Sequence, residues 1–302
     1  MELERQTRAL EDTVGALELT WRRVLRVEGD DARSWLNGVV TQDLREPHGQ
    51  TLRHALFVDV RGRVLADASV IEHASGAFDL LIPAEVASAL LESLDQRIVM
   101  EDVELSLSEL AVFTAQGPVA TSMASASRGI AHDRLGRGGF DLLCPRSEAS
   151  AWAETLAREA EALGGASISA DAYERARIRA LRPRFGVDYG PDCYPQEAGL
   201  EGSAVSFEKG CYVGQEAVHM LQVRGRPPRR LVGLAIEGAL PAPGAEVMDS
   251  DGKRVGTLTS VTSDGEGHVL ALAMLKRAAA EADDALRVDA REARRIALVG
   301  AS

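Results

Sequence analysis

An α+β fold of two mixed subdomains followed by a small C-terminal β-barrel is what this sequence predicts. Three observations carry that reading. Short β-branched strands and amphipathic helices mix over the first half without a regular βαβ alternation. A long turn-rich stretch follows Pro183. After Pro227-Pro228 only short strands remain, separated by Gly, Pro and Asp, which reads as a barrel or sandwich beyond a proline-marked boundary. The expected division is residues 1–228 and 229–302.

The elements follow in order. Val24 to Val27 is a β-branched run, and Asp30 or Asp31 then caps a helix through Ser34, Trp35 and Leu36. Residues 55–72 read as two strands around a turn at Arg61-Gly62, with a third strand from Phe78 to Ile82. Pro83 opens a helix whose apolar face is Val86, Ala89, Leu90 and Leu94. Further strands are expected at 103–107, 110–113 and 140–143. Ser147 caps a helix that Gly164-Gly165 ends, and another helix runs from Asp171 to Leu181 until Pro183 stops it. Short barrel strands are expected at 231–236, 246–249, 255–261 and 269–273.

Bulk properties exclude several classes of function. A chain of 302 residues with net charge -12 does not bind nucleic acid over its whole surface, although a local basic site is still allowed. The charged N-terminus has no apolar signal core, and no apolar run is long enough to cross a bilayer, so a cytoplasmic protein with no membrane association is expected. Cys144, Cys193 and Cys211 are odd in number and widely spaced, which favours neither a disulfide framework nor a zinc ribbon. Walker, GxGxxG and GxSxG patterns are absent.

Chemistry concentrates between Pro183 and Glu216. In VSFEKGCYVGQE, Cys211 follows Gly210 and precedes a helix expected from Val213 to Leu221. A helix N-terminus and the nearby Lys209 both favour a thiolate, and no second Cys or His stands at metal-ligand spacing. A buried packing role is the plain alternative for this cysteine. Glu197 sits in PQEAGL; it is either a solvated carboxylate or one that accepts paired N–H donors from a heterocycle. Arg224, Arg226, Arg229 and Arg230 form a solvated linker or an anion site, and Arg175, Arg179 and Arg182 pose the same choice on their helix. Asp67, near the Arg61-Gly62 turn, is a candidate general base.

These segments together resemble the YgfZ-type folate-binding proteins, relatives of the glycine-cleavage T protein. K-G-C-Y-x-G-Q-E is matched at Lys209, Gly210, Cys211, Tyr212, Gly214, Gln215 and Glu216. PQEAGL precedes it, and GDDARSWLNGVVTQDL and FVDVRGRVLAD resemble the family's N-terminal segments. Two departures stand out: Met220 replaces a usual arginine, and Arg179 and Leu181 replace a glutamate and a glycine.

The resemblance implies two α+β subdomains around a central folate channel, closed by the barrel. It implies that tetrahydrofolate or a one-carbon-substituted folate binds at Glu197, Lys209, Tyr212, Gln215, Glu216 and Arg226. Cys211 and Asp67 would be the reacting groups. The expected function is a monomeric folate-binding accessory factor for iron–sulfur cluster assembly or repair that indirectly supports tRNA modification. Its expected partners are iron–sulfur enzymes or assembly factors, with direct tRNA contact left open. The alternatives are a folate-dependent aminomethyl transferase or demethylase, and a folate-gated binding protein without catalysis.

Overall fold

A computed structural model describes residues 1–47, 52–225, 227–264 and 267–298. The expected α+β class and C-terminal barrel are present. The first sheet is antiparallel and runs, in spatial order, Arg53–Val58, Val64–Glu72, Phe78–Pro83, Arg22–Glu28 and Glu104–Ser108. The second runs Ala166–Ser167, Gly15–Glu18, Leu110–Gln116, Gly139–Pro145 and Ile130–Ala131, with only the Ala166–Ser167 pairing parallel.

Each sheet buries one face under its own helices. Helices Ala32–Val39 and Ala87–Asp95 cover the first, enclosing Trp35, Phe57, Phe78 and Leu90. Helix Ala149–Ala162 covers the second over Phe113, Phe140 and Leu156. The inner faces meet through Leu17, Leu19, Val24, Ile71, Leu81 and Val112, with helices Glu2–Asp12 and Ala170–Arg179 contributing Leu10, Tyr173 and Ala176. Alternation along Val64–Glu72 sends Ala66, Ala68 and Val70 to the helix side and Asp67, Ser69 and Ile71 inward.

The two sheets share a local sequence that the periodicity reading above does not register. FDLLIPAEVASA (78–89) and FDLLCPRSEASA (140–151) each form a strand ending in proline, then a 3-10 turn, then a helix. Proline stops the ladder because it lacks an N–H, and alanine-rich turns favour helix immediately after it. Glu148, not the expected Ser147, stands at the N-cap position of the second of these helices, because Arg146–Glu148 is taken by the 3-10 turn.

Arg229–Ile236, Val269–Lys276, Arg254–Ser263, Glu246–Met248, Leu286–Val288 and Arg291–Ile296 close into a barrel in that order. Leu234, Val247, Leu258, Ala271 and Leu286 fill it. Among the described residues no helix is long and apolar enough to cross a membrane.

Candidate functional site

A cavity of about 480 Å³ lies where the two sheets, helix Ala170–Arg179 and the turn-rich segment after Pro183 converge. Its walls carry Trp21, Tyr173 and Tyr189, the pair Arg22 and Asp67, and His54 and His132. Five arginines and two aspartates are among its lining residues. Most of these charges are committed to the protein. Arg177 pairs with Glu174 and Asp188, and Arg184 pairs with Glu174.

Asp67 sits on the cavity wall as a bound carboxylate. Arg22 donates Nη1 to Oδ1 at 2.9 Å and Nη2 to Oδ2 at 2.8 Å, and both side chains are only 9% exposed. Burial alone would raise the Asp67 carboxyl, but the Arg22 guanidinium outweighs it and holds the group below its ordinary value. His54 Nε2 stands 4.0 Å from Asp67 Oδ2, too far for a hydrogen bond, and burial pushes this imidazole down to about 4. Across the cavity His132 Nδ1 lies 2.7 Å from Asp141 Oδ2, and Arg134 donates to both Asp141 oxygens at 2.9 and 2.6 Å.

Glu197 meets paired N–H donors, one of the two alternatives its sequence leaves open, but the donors belong to the protein. Arg229 donates Nε to Oε1 at 3.0 Å and Nη2 to Oε2 at 3.1 Å, and the Tyr194 amide adds a third bond at 3.0 Å. Glu197 is fully buried, and only its neighbours Ala198, Gly199 and Leu200 line the cavity. This pair fastens the barrel's first strand to the turn-rich segment. The basic strip resolves in the same way: Arg229 also binds Asp192, and Arg230 lies 3.6 Å from Glu201. Arg226 lies outside the described residues, as does the Arg224 side chain. Arg175 and Arg179 pair with Glu4 of the first helix, so they join helices and are not a free anion site; Arg182 lines the cavity.

The cysteine motif forms a second feature, and none of its residues lines the cavity. Lys209 is buried, its Nζ donating to the carbonyls of Asn37, Val40 and Gln42 at 2.6, 2.8 and 2.8 Å. Burial pushes this ammonium down to about 8, which leaves it charged at neutral pH. Tyr212 packs among Leu56, Val58, Val64 and Val218, and burial pushes its hydroxyl up to about 12.

Gly214 adopts a left-handed backbone (φ 79°), and a Cβ there would run into the Asp59 carbonyl. That turn delays the helix, which spans Gln215–Arg224 and so starts two residues after the expected Val213. Gln215 Nε2 is 3.5 Å from both the Lys209 carbonyl and His219 Nε2, while Glu216 is exposed. Three of the segments that carry the resemblance thus converge, with Lys209 anchored to 37–42 and Gly214 seated on the 59–62 turn. What this knot presents is Cys211, the exposed cysteine of the three. Lys209 is committed to carbonyls, and Cys211 lies ahead of the helix start rather than on it.

His132, Asp141, Arg134 and the three aromatic residues escape the sequence reading. The signal for Asp141 was legible, since an aspartate inside the apolar strand FDLL is buried and needs a partner. Among the described residues no group of three His, Cys, Asp or Glu side chains is arranged to hold a metal ion.

Paired inner sheets, a closed barrel and a cavity at their junction define a T-protein-like fold. Residues 2–133 match the GCVT N-terminal domain and residues 229–301 the glycine cleavage T-protein C-terminal barrel domain, so the chain belongs to the glycine-cleavage T-protein superfamily. It is similar to the aminomethyltransferase of Frankia alni, 28% identical over 312 residues covering 94% of this chain and 83% of that protein. The aminomethyltransferase of Desulfitobacterium hafniense is 25% identical over 280 residues, covering 84% of this chain and 76% of its own length. The crystal structure of the glycine cleavage system aminomethyltransferase T from Bartonella henselae superposes with a TM-score of 0.87 at 21% identity, covering 99% of this chain and 89% of that one.

Proposed function

We propose that this protein binds a reduced folate, tetrahydrofolate or a one-carbon derivative, in the central cavity and serves iron–sulfur enzymes or their assembly through Cys211. The observation that carries the reading is the cavity itself. Trp21, Tyr173 and Tyr189 offer flat apolar faces for a pterin, and Arg22–Asp67 with two imidazoles offers fixed polar partners. Arg182, and Arg184 beside the one Nη1 bond it gives Glu174, suit the carboxylates of a folate tail. Glu197 supports this site through the wall segment 198–200 while its carboxylate holds Arg229.

Aminomethyl transfer with Asp67 as general base is the weaker reading. Arg22 occupies both Asp67 oxygens and lowers their basicity, so proton abstraction would first have to break a buried bidentate pair. Cys211 supports the accessory role because burial pushes the Cys193 thiol up to about 11 and also raises Cys144, whereas Cys211 stands exposed beside the anchored Lys209.

Calorimetric titration with tetrahydrofolate tests the cavity. Asp67→Asn is expected to weaken binding by about tenfold or more through loss of a charged hydrogen-bond network. Failure of the wild-type protein to bind would end the folate reading, and an unchanged Asp67→Asn affinity would remove Asp67 from the site. For the second half, Cys211→Ser is expected to retain folate affinity and the folded state. It should lose the ability to restore iron–sulfur enzyme activity in a deletion strain. Full restoration by Cys211→Ser would reduce this cysteine to a bystander.

A further inference from the structure

Both FDLL strands carry a histidine against their aspartate, but the two copies are placed differently. In the first sheet His73 uses Nε2 to meet Asp79 at 2.8 Å, and its side chain is 37% exposed. In the second sheet His132 turns Nδ1 to Asp141, is 18% exposed and faces the cavity. The backbone around it is fixed. The His132 amide donates to the Gly139 carbonyl at 3.0 Å. Gln116 Nε2 donates to the His132 carbonyl at 2.8 Å, and the Arg134 amide donates back to Gln116 Oε1 at 2.8 Å.

The protonation state of this pair follows from its neighbours. Asp141 is fully buried and bonded twice by Arg134, and that guanidinium, outweighing the cost of burial, holds it far below the ordinary carboxylate range. An ionised carboxylate only accepts, so Nδ1 must carry the proton that lies between them. Burial and the nearby guanidinium of Arg134 push the imidazole below its ordinary value against the pull of Asp141, so the ring is neutral at pH 7. The lone pair is therefore on Nε2, for which no hydrogen-bond partner is present among the described residues. The other charged or titratable groups lining the cavity with it include Arg22, His54, Asp67, Asp133, Tyr173 and Arg182, and burial pushes His54 down to about 4.

We propose that His132 Nε2, fixed as an acceptor by Asp141, reads an N–H group of the bound ligand and makes the cavity selective for reduced over oxidised pterins. A tetrahydropterin ring carries N–H donors at N5 and N8, where an oxidised pterin has bare nitrogen lone pairs. An acceptor facing those lone pairs leaves both sides unsatisfied, the geometry that discriminates most strongly between polar analogues. No bond is made or broken; the proton stays on the ligand and the imidazole stays neutral. This inference rests on the folate reading of the cavity.

The test compares tetrahydrofolate with folic acid by calorimetry and follows the His132 ring by 15N NMR in the free protein. At pH 7 the spectrum should show a protonated Nδ1 and a bare Nε2; a protonated Nε2 would overturn the proposal without reference to any ligand. The wild type should prefer tetrahydrofolate by about tenfold or more. His132→Leu should bring that ratio close to unity, and His132→Gln, which keeps an acceptor oxygen, should recover part of it. Because only the neutral ring accepts, affinity for tetrahydrofolate should fall by up to about tenfold per pH unit below the His132 pKa. His132→Gln should remove that portion of the slope. An unchanged ratio in His132→Leu, or an unchanged acid slope in His132→Gln, refutes the assignment. Absence of binding of either pterin by the wild type refutes the folate reading beneath it.

Discussion

Arg177→Met is expected to cost about 3–5 kcal/mol of stability, the range for removing one partner of a buried ion pair. The side chain is only 3% exposed and ties three units together. From helix Ala170–Arg179 its Nη1 donates to Asp188 at 2.7 Å and to the Arg182 carbonyl at 2.9 Å. Its Nη2 donates to Ser260 Oγ on the barrel at 2.8 Å. Methionine fills the stem but leaves Asp188 charged, fully buried and held only by the hydroxyls of Thr259 and Ser260 and the Arg184 amide. Guanidinium denaturation should show the loss as a lower midpoint. Arg177→Met combined with Asp188→Leu should regain part of it, because the stranded charge is then gone. A single variant as stable as wild type would show that the barrel docks by apolar contact through Leu181, Leu231 and Leu272 alone, and a double variant no better than the single would show that the stranded Asp188 is not the source of the loss.

The contrast between Arg177 and its neighbours marks what sequence periodicity can and cannot reveal here. Three arginines on one helix face, 175, 179 and 182, stand out at helical spacing and suggest a ligand; two of them pair with Glu4 of the first helix, and Arg179 also donates to the Ser263 carbonyl on the barrel. Arg177, on the other side, looks like an interruption and is the structural keystone. Pairings such as Arg22 with Asp67 span 45 residues, so no local pattern can announce them. The barrel's last strands hide for a related reason. Arg291–Ile296 reads REARRI, whose arginines mask the alternation that buries Ala293. Apolar strands and proline-opened helices were legible because local propensity and burial agree there. The cavity lining was not, since its polar residues are chosen by partners from other subdomains. Motif reading marked Cys211 and Glu197 as chemistry, and the fold separates them, presenting one at the surface and sealing the other under Arg229.

That separation makes the Lys209 anchor the decisive point for the cysteine platform. Its ammonium carries three N–H donors and meets three carbonyls, Asn37, Val40 and Gln42, at the end of helix Ala32–Val39. A positive charge there also complements the helix C-terminus. Lys209→Met should preserve the apolar stem yet strand three carbonyls, for a loss of about 3 kcal/mol. The damage should be local: residues 205–224 and the 37–42 turn should lose hydrogen-exchange protection while the barrel keeps its own. Lys209→Arg should rescue little, because a planar fork cannot point three donors at carbonyls arranged around a compact ammonium. Cys211→Ser should change neither stability nor exchange, since that side chain is exposed. If Lys209→Met leaves the exchange of 205–224 untouched, the motif is not a platform held by its lysine, and the exposure of Cys211 needs another cause. If exchange rises there and thiol labelling of Cys211 becomes faster and less selective, the lysine exists to hold one cysteine in one place.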